Sequence, residues 1–209
     1  TLRERQQVAG RMQRAVMTMP PGASCLLANI FGLMVGLSLA WQSRRTTAAE
    51  RSGYKFLETV LKMNCKGYFS YDHFKRGPTV CSDASKQAKY AGGGWWTSSG
   101  RYDWFKYGTA ASRKPIDFLE GDTAVVAVER NGPHWAKQWI PFGLDNQAFQ
   151  KSAVKGWSRA ERLTQLLKRL FVLQIRYDCL LRFFWLSTVD NELADHLSRQ
   201  GRAFLFLDA

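Results

Sequence analysis

The sequence predicts an α/β protein: a mixed five-stranded sheet with helices on both faces, preceded by a small helical region. Three observations carry that expectation. Residues 1–78 hold three helix-period stretches, then a polar, turn-rich segment that closes near Gly77-Pro78. From residue 79 the period changes, and short apolar or glycine- and aromatic-rich runs read as strands. The order from there is strand, strand, strand, helix, strand, helices, strand, helix, a meander followed by strand–helix crossovers. The expected division is a helical region over 1–78 and an α/β domain over 79–209.

Taken in order, residues 3–18 form the first expected helix, with Val8, Met12, Val16 and Met17 at helical spacing among Arg3, Arg5, Arg11 and Arg14. Pro20-Pro21-Gly22 ends it. A second helix is expected from about Ser24 to Trp41. A third is expected from about Thr47 to Met63, with Thr47 as N-cap and Leu57, Val60 and Leu61 on one face. Thr79-Val80-Cys81-Ser82-Asp83-Ala84-Ser85 reads as a buried strand with a polar end. Residues 92–97 and 102–107 flank the turn signal Ser98-Ser99-Gly100-Arg101 and so read as a hairpin. A helix from Ile116 to Asn131 is stopped by Gly132-Pro133. Residues 139–144 are a strand whose Pro141 suggests an irregular start or an edge. A helix follows from Gln147 to Val154. Ser158 opens a long one through about Ile175, with Glu161 completing a capping box. Residues 179–186 are the fifth strand, and Asp190 to Arg199 the last helix.

Composition narrows the partner. The chain has 209 residues, 45% hydrophobic and 13% aromatic, which suits a packed globule rather than disorder. Thirty Lys and Arg against 17 Asp and Glu give a net charge of +13, which favours a polyanion, nucleic acid first and an anionic membrane second. Residues 1–79 hold 12 basic and 4 acidic residues, a net of +8; the remainder hold 18 and 13, a net of +5. Cys25, Cys65, Cys81 and Cys179 form no C-x-x-C pair, and with three His a zinc site is not expected. Unpaired cysteines suit a reducing intracellular compartment: cytoplasm, nucleus or organelle matrix. Residues 20–43 carry no charge and approach membrane-spanning length, but Asn29, Ser38 and the glycines favour a buried helix and no membrane. A chain that opens on Thr1 suits a piece of a longer product.

Four acidic residues sit where strands end or helices begin. Asp83 closes the first expected strand and Asp145 the fourth, and crossovers place those two strands side by side with neighbouring carboxyl ends. Glu120 lies in the first turns of the helix after the hairpin. Asp195 lies inside the last helix, which can pack beside the first strand. Gathered carboxylates repel, and some hold protons unless cations neutralise them. Hard oxygen ligands in an incomplete cage suit Mg²⁺ or Mn²⁺, and two such ions roughly 4 Å apart can activate water and stabilise a leaving oxygen in phosphodiester hydrolysis. The alternative at this point is a set of solvated caps.

Five stretches add a resemblance. They are Cys81-Ser82-Asp83-Ala84-Ser85, Ile116-Asp117-Phe118-Leu119-Glu120, Leu144-Asp145-Asn146-Gln147-Ala148, Gly156-Trp157-Ser158-Arg159, and the run from Val189 through Asp195-His196-Leu197-Ser198-Arg199. In order and spacing they resemble the ribonuclease H domain attached to reverse transcriptases of long-terminal-repeat and DIRS-like retrotransposons. Gln6-Gln7-Val8-Ala9-Gly10-Arg11 and Met19-Pro20-Pro21-Gly22 resemble the thumb or connection region that follows the polymerase palm in such elements. The resemblance implies a ribonuclease H-like fold and cleavage of the RNA strand of an RNA–DNA hybrid. It implies two Mg²⁺ ions, with Mn²⁺ able to substitute, held by Asp83, Glu120, Asp145 and Asp195 as the catalytic set. Ser85, Asn146 and Gln147 beside the metals, and Lys155, Trp157 and Arg159 at the following helix start, are the expected nucleic-acid contacts. The implied partners are RNA–DNA hybrid or RNA, and a polymerase palm and fingers region upstream or a larger assembly.

Two departures leave a second reading open. The loop Leu186-Ser187-Thr188-Val189-Asp190 lacks the His that many ribonucleases H carry there, and Lys86-Gln87-Ala88-Lys89-Tyr90 is longer and more basic than the usual tight turn. No paired-aspartate palm motif is present; Tyr71-Asp72 falls in a turn. These features also suit a domesticated, catalytically silent retroelement fragment that serves as a structural or RNA-binding part of a larger ribonucleoprotein assembly.

Overall fold

A computed structural model describes residues 1–17, 19–32, 34–63, 73–87 and 90–207. Cys65, Tyr71 and Asp72, and the Ala88-Lys89 centre of the basic turn, lie outside the described residues. The helical region supplies α1 (Leu2–Val16), α2 (Cys25–Gly32) and α3 (Ala48–Lys62). The second expected helix is corrected: it ends at Gly32 rather than Trp41. Gly36 takes φ +81°, which no helix continues through. The Gln42 side chain then accepts from the Ser38 and Leu39 amides at 2.6 and 2.9 Å and satisfies the turn that replaces the helix. Among the described residues, no helix is long and apolar enough to cross a membrane.

Thr47 caps α3 as its sequence implies. Its hydroxyl accepts from the Glu50 amide at 3.2 Å, and the Glu50 carboxylate accepts from the Thr47 amide at 2.7 Å. Glu50 is 2% exposed and also receives Arg5 at 3.2 Å and Arg44 at 3.1 Å, which ties α1 and the 44-loop to α3. Burial pushes this carboxyl up, but the Thr47 amide and the two guanidinium groups outweigh it and hold it below the usual range. Glu50→Ala is expected to destabilise the protein by about 1–3 kcal/mol, because it removes half of the α3 capping box and the carboxylate that Arg5 and Arg44 share. A denaturant midpoint unchanged from wild type would refute that account.

The sheet is built from β1 (Lys75–Arg76), β2 (Val80–Gln87), β3 (Tyr90–Thr97), β4 (Tyr102–Lys106), β5 (Gln138–Leu144) and β6 (Leu180–Trp185). β2, β3 and β4 form the antiparallel meander, and Gly100, at φ +86°, makes the expected turn between β3 and β4. β5 pairs in parallel with β2 on one edge and β6 on the other. The short β1 pairs with the start of β5, in line with β2, so five strand positions become six strands. This β1 falls in a stretch that reads as polar turns, since two residues give no period to detect. The single turn α4 (Thr109–Ser112) is likewise silent in the sequence.

The helices α5 (Ile116–Asn131), α6 (Gln147–Lys155) and α7 (Glu161–Tyr177) lie on one face, and α8 (Glu192–Leu207) lies on the other. Val80, Ile140, Phe142 and Leu144 of the sheet pack with Val125, Val128, Phe149 and the Leu163, Leu166, Leu167, Leu170 and Leu173 stripe of α7. The Ser158 capping box is corrected. α7 starts at Glu161 with Ala160 as N-cap, and the Ser158 hydroxyl instead accepts from the Ala160 amide at 3.2 Å. Thr164 takes up Ser158, accepting from its amide and donating to its carbonyl, so the loop is closed three residues later than the motif suggests. The helical region docks on α7, where Phe171 shares a core with Cys25, Leu26, Leu27, Leu57 and Val60. Gln174 donates to the Pro21 carbonyl at 2.9 Å across the same contact. Burial pushes the Cys25 and Cys179 thiols up to about 12 and Cys81 up to about 11, which leaves all three as inert core groups.

Candidate metal centre

The parallel pairing of β2 with β5 fixes the centre of the site. Ser82 pairs with Leu144, so the next residue on each strand is an aspartate, Asp83 and Asp145. Asp145 follows the last residue of β5, as expected. Asp83 is corrected from a strand end to mid-strand, because β2 continues to Gln87 along β3 after its partnership with β5 is over. The aspartate thus marks the end of the parallel pairing, which is the property that places it beside Asp145. Glu120 is the fifth residue of α5 and reaches the same point from the helix. Carboxylate oxygens of Asp83, Glu120 and Asp145 all lie within 4.8 Å of one another.

α8 reaches Asp83 through glycines. On the α8 face of β3, a Cβ at Gly94 would lie 2.5 Å from the Ser198 nitrogen, and one at Gly92 2.3 Å from the Ser198 oxygen. With no side chain there, the helix backbone rests on the strand. The Ser198 hydroxyl donates to Asp83 Oδ2 at 2.7 Å, and the Ser198 carbonyl accepts from the Ser85 hydroxyl at 2.7 Å and the Tyr90 hydroxyl at 2.9 Å. Asn191 donates to the Ser82 carbonyl at 3.2 Å one turn before Asp195. Asp195 itself stands outside the three-carboxylate group. Arg199 holds it, with Nε and Nη2 donating to Oδ1 at 2.8 and 2.7 Å.

Electrostatics make the cluster costly without a cation. Burial pushes the Asp83 carboxyl up to about 7, with the charges of Asp145 and Asp195 adding to it and the Ser198 hydroxyl opposing. Burial, then the charge of Asp145, pushes Glu120 up to about 8. Asp145 is raised as well, by burial first and then by Asp195. Glu120 Oε2 is buried and has no hydrogen-bond partner among the described residues. A divalent cation fits this arrangement: three convergent carboxylates, one with an orphaned buried oxygen, and carboxyls that burial and mutual repulsion raise.

The expected nucleic-acid contacts divide when placed in space. Ser85 is buried and its hydroxyl is engaged by α8. Asn146 caps α6, accepting from the Phe149 amide at 2.9 Å, and its side chain also bonds Glu120. Gln147, Lys155, Trp157 and Arg159 are exposed. Trp157 is 43% exposed, which removes core packing as its explanation. Residue patterns did not single out Ser198, Thr188, whose side chain bonds Asp145, or Trp185, whose indole donates to the Asp145 carbonyl at 2.9 Å. Ser198 and Arg199 lie inside the Asp195 motif, but only packing gives them partners. A groove of about 1120 Å³ borders the site, lined in part by Lys86, Lys106, Arg113 and Arg199.

No family model and no curated protein matches the sequence. Solved structures do match the architecture. The N-terminal RNase H domain of a Mycobacterium tuberculosis protein, solved as a fusion with maltose binding protein, is 16% identical. The match covers 64% of this chain and 100% of that one, at a TM-score of 0.51. The fold is that of ribonuclease H. LC11-RNase H1, solved in complex with an RNA/DNA hybrid, is 13% identical, with 58% of this chain and 93% of that one covered at a TM-score of 0.51. In this ribonuclease H-like fold the acidic triad sits at the end of the β2–β5 pair, beside the start of α6.

Proposed function

We propose that this chain is a metal-dependent endonuclease that cleaves the RNA strand of RNA–DNA hybrids as part of a retroelement reverse transcriptase. The observation that carries the reading is the meeting of Asp83, Asp145 and the orphaned Glu120 oxygen at one end of a parallel strand pair. A solved protein of similar fold was captured with an RNA/DNA hybrid. On this reading residues 79–209 are the nuclease domain, residues 1–78 a thumb- or connection-like region, and a polymerase region the partner.

Asp83, Glu120 and Asp145 would hold Mg²⁺ or Mn²⁺, with Asp195 as the fourth ligand. Bound ions supply an activated water and stabilise the leaving oxygen of a phosphodiester. The chain's own residues do the rest. Asn146 orients Glu120, Ser198 and Ser85 fix α8 against β2, and Trp185 and Thr188 hold Asp145. Gln147, Lys155, Trp157 and Arg159 form an exposed set on and after α6, suited to a backbone read through phosphates and 2′-hydroxyls.

The deciding experiment incubates the protein with a hybrid labelled on the RNA strand, in Mg²⁺ and in Mn²⁺. Cleavage of RNA only, lost on chelation, is expected. Tight, salt-sensitive hybrid binding with no cleavage in either metal would instead favour a silent, RNA-binding retroelement fragment. Trp157→Ala is expected to weaken hybrid binding by up to about ten-fold, through lost packing of its exposed indole against the sugar–phosphate backbone, without lowering the thermal midpoint. Equal affinity would remove Trp157 from the interface.

A further inference from the structure

Three of the four carboxylates converge, and the fourth already has a cation. Arg199 lies one turn after Asp195 on α8, and both Nε and Nη2 point at Asp195 Oδ1. Asp195 remains close enough to act electrostatically on Asp83 and Asp145, and the Arg199 charge in turn feels Asp83. The backbone under the pair is fixed, because Ser198 is bonded to Asp83, Ser85 and Tyr90, and Asn191 to Ser82. The Asp195 carboxylate therefore has side-chain freedom only, and a choice of two cations: Arg199, or a metal ion beside the triad.

The pair is open to exchange. Its side chains, Arg199 and Asp195, are 52% and 27% exposed, so solvent screens the contact and leaves it weak. Arg199 also lines the basic groove with Lys86, Lys106 and Arg113. A guanidinium released from Asp195 has a basic wall beside it, chemistry that suits a phosphate.

We propose that Arg199 is a built-in counter-ion for Asp195, which keeps a second metal position from filling until a nucleic-acid phosphate draws the guanidinium into the groove. The proposal rests on the metal reading above. It makes Arg199 a positioning residue, acting through Asp195. The free protein then takes one divalent ion at Asp83, Glu120 and Asp145, and the second arrives with substrate.

The test is a Mn²⁺ titration of the full chain without nucleic acid, following free Mn²⁺ by electron paramagnetic resonance. Wild type is expected to bind one ion. Arg199→Gln is expected to bind a second, with affinity for that ion raised by about five-fold over wild type, the upper end of what a half-exposed pair is worth. Arg199→Lys is expected to restore one-ion binding, since it returns the charge. Asp195→Asn added to Arg199→Gln is expected to remove the second ion again. Arg199→Gln that binds as wild type does, with the first ion intact, would overturn the role of Arg199 and leave the triad standing. Wild type that binds no ion would overturn both readings.

Discussion

Asp83→Asn is expected to lower hybrid cleavage by at least about 1,000-fold, the loss of several kcal/mol of metal-supplied stabilisation, while making the metal-free protein more stable above neutral pH. The two effects have one cause. Asp83 is buried beside two other carboxylates that share its site. Its carboxyl is raised from an ordinary 3.8 to about 7, and Glu120 from 4.5 to about 8. Between those values the unfolded chain has released protons that the folded chain keeps. The folded state binds more protons there, so stability falls as pH rises through that window and stays low above it. Asn accepts the Ser198 hydroxyl as Asp does but carries no charge, so the penalty on this residue goes. The gain is on the order of 2 kcal/mol near pH 8 and vanishes near pH 4. Mg²⁺ should reverse the order, stabilising wild type and leaving the variant unchanged. Urea midpoints at both pH values, with chelator and with Mg²⁺, check all of this. A variant no more stable than wild type near pH 8 would mean that burial and the neighbouring carboxylates do not raise Asp83 as described.

Gly94→Ala is expected to destabilise the protein by about 3 kcal/mol or more and to impair cleavage in the same stroke. The new Cβ would lie 2.5 Å from the Ser198 nitrogen and 2.7 Å from the Leu197 carbonyl carbon, both backbone atoms that cannot rotate away. α8 must lift from β3, taking with it the Ser198 hydroxyl on Asp83 and the Asp195 carboxylate. Gly10→Ala is the control. It lies on the exposed face of α1 with nothing within 4 Å of its Cβ, and the change should stabilise by about 0.5–1 kcal/mol. Thermal midpoints of the two variants moving the same way would show that the glycines of β3 are not a docking surface.

Much of the fold was legible because period and punctuation are local. The hairpin turn at Ser98–Arg101, the Thr47 cap, the α7 leucine stripe and the strand, helix and crossover order all follow from neighbours within a few residues. Where the reading failed, one local signal was outweighed by another a few residues away. Ser158 has the spacing of a capping box, but Thr164 takes its backbone. Apolar content carried the second helix past Gly32, whereas Gly36 and the Gln42 side chain favour a turn.

The candidate site divides along the same line. Strand order and acidic spacing put Asp83, Glu120, Asp145 and Asp195 forward as carboxylates that could be brought together, and the resemblance to retroelement ribonuclease H domains made them one set. Only the tertiary structure decided that Asp83 sits mid-strand, that its neighbour Ser198 bonds it from a helix lying on glycine, and that Asp195 is held by Arg199 rather than among the other three. The physical reason is range. Period, caps and turns are set by contacts a few residues apart. The protonation, hydrogen bonding and pairing of a carboxylate are set by whatever the fold carries to within a few ångströms of it.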